Sequence, residues 1–278
     1  LALYTSDGVR QIVQTMAEAD YGDDEITIVD GDHILLGGSG SDKLTAGDGN
    51  NVIIGDNGVT NFEDGDLVAL VSAWTEFDGI DTIRAGSGFN TIMGGGAGDD
   101  IAIQVGNSVI FGDSGFAAFS NNLATIAFSI DPDKGGVDKI RAGNGNAIIF
   151  GGAMGDDIGN ADGNSVIFGD SGHAEFDGEE VTVAYAIATA IGGADTIVSG
   201  NGNNVIFGGA AGDDITTGDG RSVVFGDSGY AEFLNGYARL AYAIDTAVGG
   251  SDTILTGNGD QIVVGGAAGD DITTGTGS

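Results

Sequence analysis

Gly37-Gly38-Ser39-Gly40-Ser41-Asp42-Lys43-Leu44-Thr45 is a nine-residue string in which glycines alternate with small residues, an aspartate holds the sixth place and an aliphatic residue the eighth. Its reading decides the fold, because the string returns. Asp42 recurs as Asp99, Asp156, Asp213 and Asp270, and Gly55-Asp56-Asn57-Gly58 recurs as Gly112-Asp113-Ser114-Gly115, Gly169-Asp170-Ser171-Gly172 and Gly226-Asp227-Ser228-Gly229, each step being 57 residues. A period held without drift points to stacked repeats in which each unit buries its apolar face on the next.

Within one unit the blocks run Ala85 to Met93, Gly94 to Ala102 and Ile103 to Phe111. A last block starts at Gly112 and resumes at Gly135-Gly136-Val137-Asp138-Lys139-Ile140-Arg141. A unit is thus four nonapeptides plus an insertion, and two blocks make one circuit of turn, short strand, turn, short strand. The expected fold is all-β, a parallel β-roll or β-helix solenoid with a hairpin-like insertion in each unit. It forms a single array over 1–278 of about 4.9 units, with insertions near 1–22, 58–78, 115–135, 172–192 and 229–249. Both ends of the sequence fall inside a unit, so the chain reads as a segment of a longer array, and a missing targeting signal is uninformative.

The glycine, aspartate and aliphatic places resemble the repeats-in-toxin (RTX, hemolysin-type) family of secreted proteins, here with an unusually long repeat. The resemblance implies a parallel β-roll with calcium between successive turns, the sixth position supplying the side-chain ligand. Independently of the family, calcium takes oxygen ligands from carboxylates and backbone carbonyls, and glycine turns let carbonyls approach closely. The sixth position sorts by edge. On one edge it is Asp24, Asp42, Asp81, Asp99, Asp138, Asp156, Asp195, Asp213, Asp252 and Asp270. On the other it is His33, Asn51, Asn90, Ser108, Ala147, Ser165, Asn204, Ser222 and Gln261. The expectation is one calcium-loaded edge and one held by Asn and Ser hydrogen bonds, a departure from the family's simplest pattern. Asp56, Asp113, Asp170 and Asp227 are further candidates, as ligands or turn caps. The reading that competes with calcium makes every one of these aspartates an Asx turn cap in a metal-free stack.

Composition agrees with a charged stack that needs cations. Asp and Glu number 42 against 8 Lys and Arg, a formal charge of -34, which opposes compaction. About nine ions, one per gap in the aspartate edge, would bring this to about -16. The acidity excludes nucleic acid as partner, and no apolar run is long enough for a helical membrane span. With 0 Cys there is no disulfide or thiolate site. Recurring carboxylates do not mark an active site, and no unit carries a unique nucleophile and base, so no catalytic residue is assigned.

In a roll the eighth positions, Leu44, Ile92, Ile101, Ile149, Ile206, Ile215 and Ile272, point inward, while Val109, Phe111, Val166, Phe168, Val205, Phe207, Val223 and Phe225 form an apolar ladder outside that needs cover. The insertions are the nearest cover: Val181 to Ile187 alternates like a strand, and Phe176-Asp177-Gly178-Glu179 reads as a hairpin turn. Their outer faces, with Trp74, Phe77 and Tyr242, are candidates for contacts with copies of the chain. The resemblance implies a calcium-folded structural repeat of a secreted or cell-surface bacterial protein: an adhesin stalk, spacer or matrix component. The sequence leaves two alternatives open, a self-assembling filament or sheath subunit and an accessory module of a secreted enzyme.

Overall fold

The computed structural model describes residues 1–4, 6–15, 22–73 and 78–277. Among them there is no helix, and the strands form three sheets. Two sheets are parallel, of ten and nine strands, and the chain visits them alternately: Lys43–Ala46 lies in the first, Val52–Ile54 in the second, Thr82–Ala85 in the first, Asn90–Met93 in the second. Each visit adds the next strand in sheet order, so one strand of each sheet makes a rung. Register carries the sequence period into space. Ile53, Ile92 and Ile110 are cross-strand partners in the second sheet, as Leu44, Ile83 and Ile101 are in the first.

The eighth-position aliphatics of both parallel sheets meet in one core, where Leu44, Ile92, Ile101, Ile149, Ile206 and Ile215 have 0% exposure. Ile272, expected there too, is exposed in the last strand because no further rung covers it.

The insertions build the third layer. Gly172–Asp177 and Glu180–Ala186 pair antiparallel, as do Gly115–Ser120 with Leu123–Ser129 and Gly229–Leu234 with Tyr237–Ala243. Successive hairpins also pair with each other, Phe116 with Val71, Phe128 with His173 and Tyr185 with Tyr230, giving one ten-stranded antiparallel sheet. Two rungs at about 4.8 Å set successive insertions about 10 Å apart, which is two strand spacings, so each hairpin contributes two strands over two rungs.

This sheet covers the expected ladder. Val109, Phe111, Val166, Phe168, Val205, Phe207, Val223 and Phe225 are buried with hairpin residues in a second core. Phe111, Phe150, Phe168, Phe207 and Phe225 stack with centroids 4.7–4.9 Å apart and planes within 7°. Opposite them the hairpins present Ala117, Ala127, Ala174, Ala184 and Ala231, all at 0% exposure. Large rings against a row of methyls let the sheets close without voids. At the entry to the hairpin even a methyl is excluded: a Cβ on Gly172 would collide with the Phe168 ring.

On the opposite face of the antiparallel sheet, facing away from the core, a second stack runs across the strands in register. Phe116, Phe128, His173, Tyr185, Tyr230 and Tyr242 follow one another at 4.7–5.8 Å between centroids. Trp74 and Phe77 lie outside the described residues.

Candidate metal edge

Each rung has two turns, and the sixth position of the nonapeptide sits at the inner end of each. The turn from the second parallel sheet back to the first carries the aspartates. They form one continuous ladder, in which the backbone N–H of each donates to Oδ1 of the next: Asp24 to Asp42, Asp42 to Asp81, Asp81 to Asp99, and so on to Asp252 and Asp270, at 2.6–3.1 Å. The step alternates between 39 and 18 residues because the hairpin leaves this edge in every second rung.

One oxygen of each carboxyl is therefore placed, and the other is not. Oδ2 of Asp42, Asp81, Asp99, Asp138, Asp156, Asp195, Asp213 and Asp252 is buried and has no hydrogen-bond partner. It lies in a glycine cradle: a Cβ on Gly208 would strike both Asp213 Oδ2 and the carbonyl oxygen of Gly226 in the neighbouring rung, and Gly37, Gly94 and Gly151 repeat that collision with Asp42, Asp99 and Asp156. Each gap thus brings a carboxylate oxygen and a backbone carbonyl oxygen to one place with no donor between them.

The electrostatics follow. Burial pushes the carboxyls up, Asp81 to about 8, Asp213 to about 10 and Asp252 to about 7, and neighbouring aspartates add to the shift. Asp42, Asp99, Asp138, Asp156 and Asp195 move the same way, burial again first among the causes. Buried carboxylates at strand spacing stay ionised only where cations neutralise them, and otherwise take up protons.

The opposite edge is uncharged, and its amide N–H groups are paired, although Asn51 Oδ1 and Ser108 Oγ are also buried without a partner. Asn51 Nδ2 donates to the carbonyls of Gly47 and Gly49, four and two residues back, at 3.1 Å, and to Asn90 Oδ1 at 3.0 Å. Asn90 and Asn204 likewise donate four residues back, to Gly86 and Gly200. Ser165 Oγ donates to Asn204 Oδ1, and Ser222 N to Gln261 Oε1. His33 belongs to this edge and reaches back in the same way, its Nε2 3.0 Å from the carbonyl of Val29, four residues back. An amide on one edge supplies the positive end of a dipole where the carboxyl on the other edge has none to offer.

The fit to a cation is constrained. Among the described residues no three acidic or histidine side chains converge on one point. A cation here would be held by one or two carboxylates and otherwise by backbone carbonyls, a donor set that suits calcium and excludes zinc. Asp56, Asp113, Asp170 and Asp227 have a different place. Asp170 Oδ1 accepts from Gly193 N, where the hairpin returns to the rung, and Oδ2 accepts from Ala210 N in the next rung, at 2.9 and 2.5 Å. Asp56 and Asp113 make the same pair of bonds, and Asp227 binds Gly250 N and Ala267 N. These carboxylates clasp the neck of each hairpin, and both their oxygens have backbone donors.

One feature escaped the sequence reading. The Asn and Ser edge carries additional outward ladders, such as Asn201 N to Asp162 Oδ1, Asp219 N to Asn201 Oδ1 and Asn258 N to Asp219 Oδ1, at 2.7–2.9 Å. Their signal was the recurring Asx in Gly-Asp-Gly-Asn and Gly-Asn-Gly-Asn. At the doublet turns Gly98-Asp99-Asp100 and Gly155-Asp156-Asp157, where the sequence puts Ala97 and Met154 in place of glycine and so suggests altered geometry, the left-handed backbone is kept, with φ of 62° and 66°.

No protein-family model matches the chain, and neither the curated proteins nor the solved structures contain a match to it.

Proposed function

We propose that the aspartate edge is a calcium ladder and that the chain is a β-roll solenoid of the RTX kind, serving as a calcium-folded structural repeat of a secreted or cell-surface protein. The observation that carries this reading is the contrast between the two edges. Where the sixth residue is Asn, an amide N–H donates to the turn carbonyls; where it is Asp, Oδ2 is buried among acceptors with no donor. A divalent cation resolves that arrangement, since it is the partner shared by a carboxylate and carbonyls in the same gap. Charge supports it too, because about nine ions would halve a formal charge of -34. A mechanical role, as spacer, stalk or matrix component, follows from repetition without any singular site. Extracellular calcium at millimolar level suits sites built largely of carbonyls, and folding coupled to binding would keep the chain unfolded before export.

The test is a calcium titration at neutral pH followed by far-UV circular dichroism, with bound metal counted after dialysis. The expected result is a coil-to-β transition with about nine ions per chain, one per gap. A full β signal in chelator at neutral pH with no metal would refute the reading and make the ladder a row of turn caps.

A further inference from the structure

The outward face of the antiparallel sheet is the part of this molecule least suited to water. Its first row is the stacked ladder Phe116, Phe128, His173, Tyr185, Tyr230 and Tyr242. Beside it, two residues along each strand, runs Ala118, Ile126, Glu175, Val183, Glu232 and Leu240. Across both rows the formal charges are Glu175 and Glu232, and each is engaged on its own strand, by His173 Nε2 at 3.3 Å and by the Tyr230 hydroxyl at 2.8 Å. This is an apolar, aromatic strip in a chain with 42 acidic residues. The facing sides of the two parallel sheets cover each other and the hairpins cover the outer side of the second, while the outer side of the first is open but polar, with Lys43, Arg84, Lys139 and Arg141 and the ion pairs Arg84–Asp100 and Arg141–Asp157.

We infer that this face is the interface between two copies of the chain, packed sheet on sheet about a two-fold axis. The two rows continue across the other strands through Val71 and Ala69, Val59 and Asn61, and Gln14 and Ile12, so ten strands at ~4.8 Å give a face of about 45 by 15 Å, or about 700 Å² per copy, with the aromatic ladder confined to six of them. Pairing two such faces buries about 1,400 Å², within the range of specific stable interfaces, and a strip of this size exceeds what monomers normally leave exposed. A charged partner finds no complementary charge here. A second copy offers the same strip, charged only at Glu175 and Glu232, with the same repeat and length, and aligned sheets of this kind pack face to face as in a β-sandwich. Because the rest of each copy is strongly acidic, the two repel outside the contact. Association therefore strengthens as salt screens that repulsion, the opposite of a charge-driven complex.

The experiment uses the full chain in millimolar calcium, with far-UV circular dichroism confirming the β fold for every sample. Light scattering at about 100 μM and about 0.5 M salt is expected to give twice the chain mass of 27.6 kDa, with dissociation on lowering the salt. The double variant Phe128→Glu with Tyr185→Glu leaves both cores intact and is expected to weaken pairing by roughly 30-fold or more, the loss of a hot-spot aromatic. The chain has no cysteine. The strands Gly115–Ser120 and Leu123–Ser129 are at the middle of the ten-strand order, so a two-fold axis relating whole faces passes beside them. Ile126→Cys is thus expected to oxidise to a covalent dimer, while Thr216→Cys on the outer parallel sheet does not. A wild-type monomer with an intact β signal, a dimer indifferent to the double variant, or equal cross-linking at both positions would each overturn the inference. None of these depends on what holds the aspartate edge together.

Discussion

Replacing Asp213 by Asn isolates the penalty of one rung of the ladder. Burial pushes the Asp213 carboxyl from 3.8 to about 10, with the carboxylates of Asp195, Asp170 and Asp252 adding to it. A folded-state value above the unfolded one means that the folded chain prefers the protonated acid. Without a cation, the group is harmless below pH ~4 and removes stability as pH rises toward 10, at up to ~1.4 kcal/mol per pH unit. By pH 7 this amounts to about 4 kcal/mol, set against a typical total of 5–15 kcal/mol. Asn has the same shape and no charge, and its amide can donate to the carbonyls four and two residues back as Asn51 does. In chelator, urea midpoints of Asp213→Asn and wild type are therefore expected to be close at pH 4, where the carboxyls are protonated, and to diverge as the pH rises, the wild type being the first to lose its β signal on the way to neutral pH. On the proposed calcium ladder the order is expected to reverse in calcium, because the variant would lack one charged ligand and bind fewer ions. Parallel stability curves across that pH range in chelator would refute the reasoning, since they would mean the buried carboxyl carries no titration penalty.

Asn204→Asp puts an acid on the amide edge, losing the 3.1 Å donation to the Gly200 carbonyl and burying a charge; a loss of about 2–4 kcal/mol at pH 7, shrinking at pH 4, is expected from denaturant midpoints. Phe168→Ala cuts the stack between Phe150 and Phe207 and leaves a void under the Ala row, a loss of about 3–5 kcal/mol, with a weaker near-ultraviolet dichroism. Asp170→Ala removes both bonds at the hairpin neck. Hydrogen exchange in Gly172–Asp177 and Glu180–Ala186 should speed up roughly 10-fold or more while the core strands of the parallel sheets stay protected.

Much of this architecture was legible because the repeat fixes what propensity leaves open. Ile92, Ile149 and Ile206 could be assigned inward from position alone, and the aspartates and asparagines sorted to opposite edges by counting blocks. The hairpins were legible as strands from Val181 to Ile187, and as a cover from the exposed Phe ladder. Their pairing into one continuous sheet was not, because edge pairing between Phe128 and His173 depends on where the hairpins point, which period does not encode. The roles of Asp56, Asp113, Asp170 and Asp227 were equally hidden. A Gly-Asp turn reads alike as ligand or cap, and only the approach of Gly193 and Ala210 to Asp170 tells which donors reach it. The outward ladder through Asp162, Asn201 and Asp219 was overlooked because Asx in a glycine turn is so readily explained locally.

The hairpin sheet advances by two strands for every two rungs beneath it, so all three layers lengthen at one common pace. That makes the whole unit the smallest piece that can be gained or lost cleanly. Duplicating one rung of 18 residues would add a strand to each parallel sheet and nothing above them, opening a slit one strand wide in the outer layer and exposing Phe side chains of the ladder. Recombination in multiples of 57 leaves no such scar, and a protein of this design can change its length during evolution only in steps of about 10 Å.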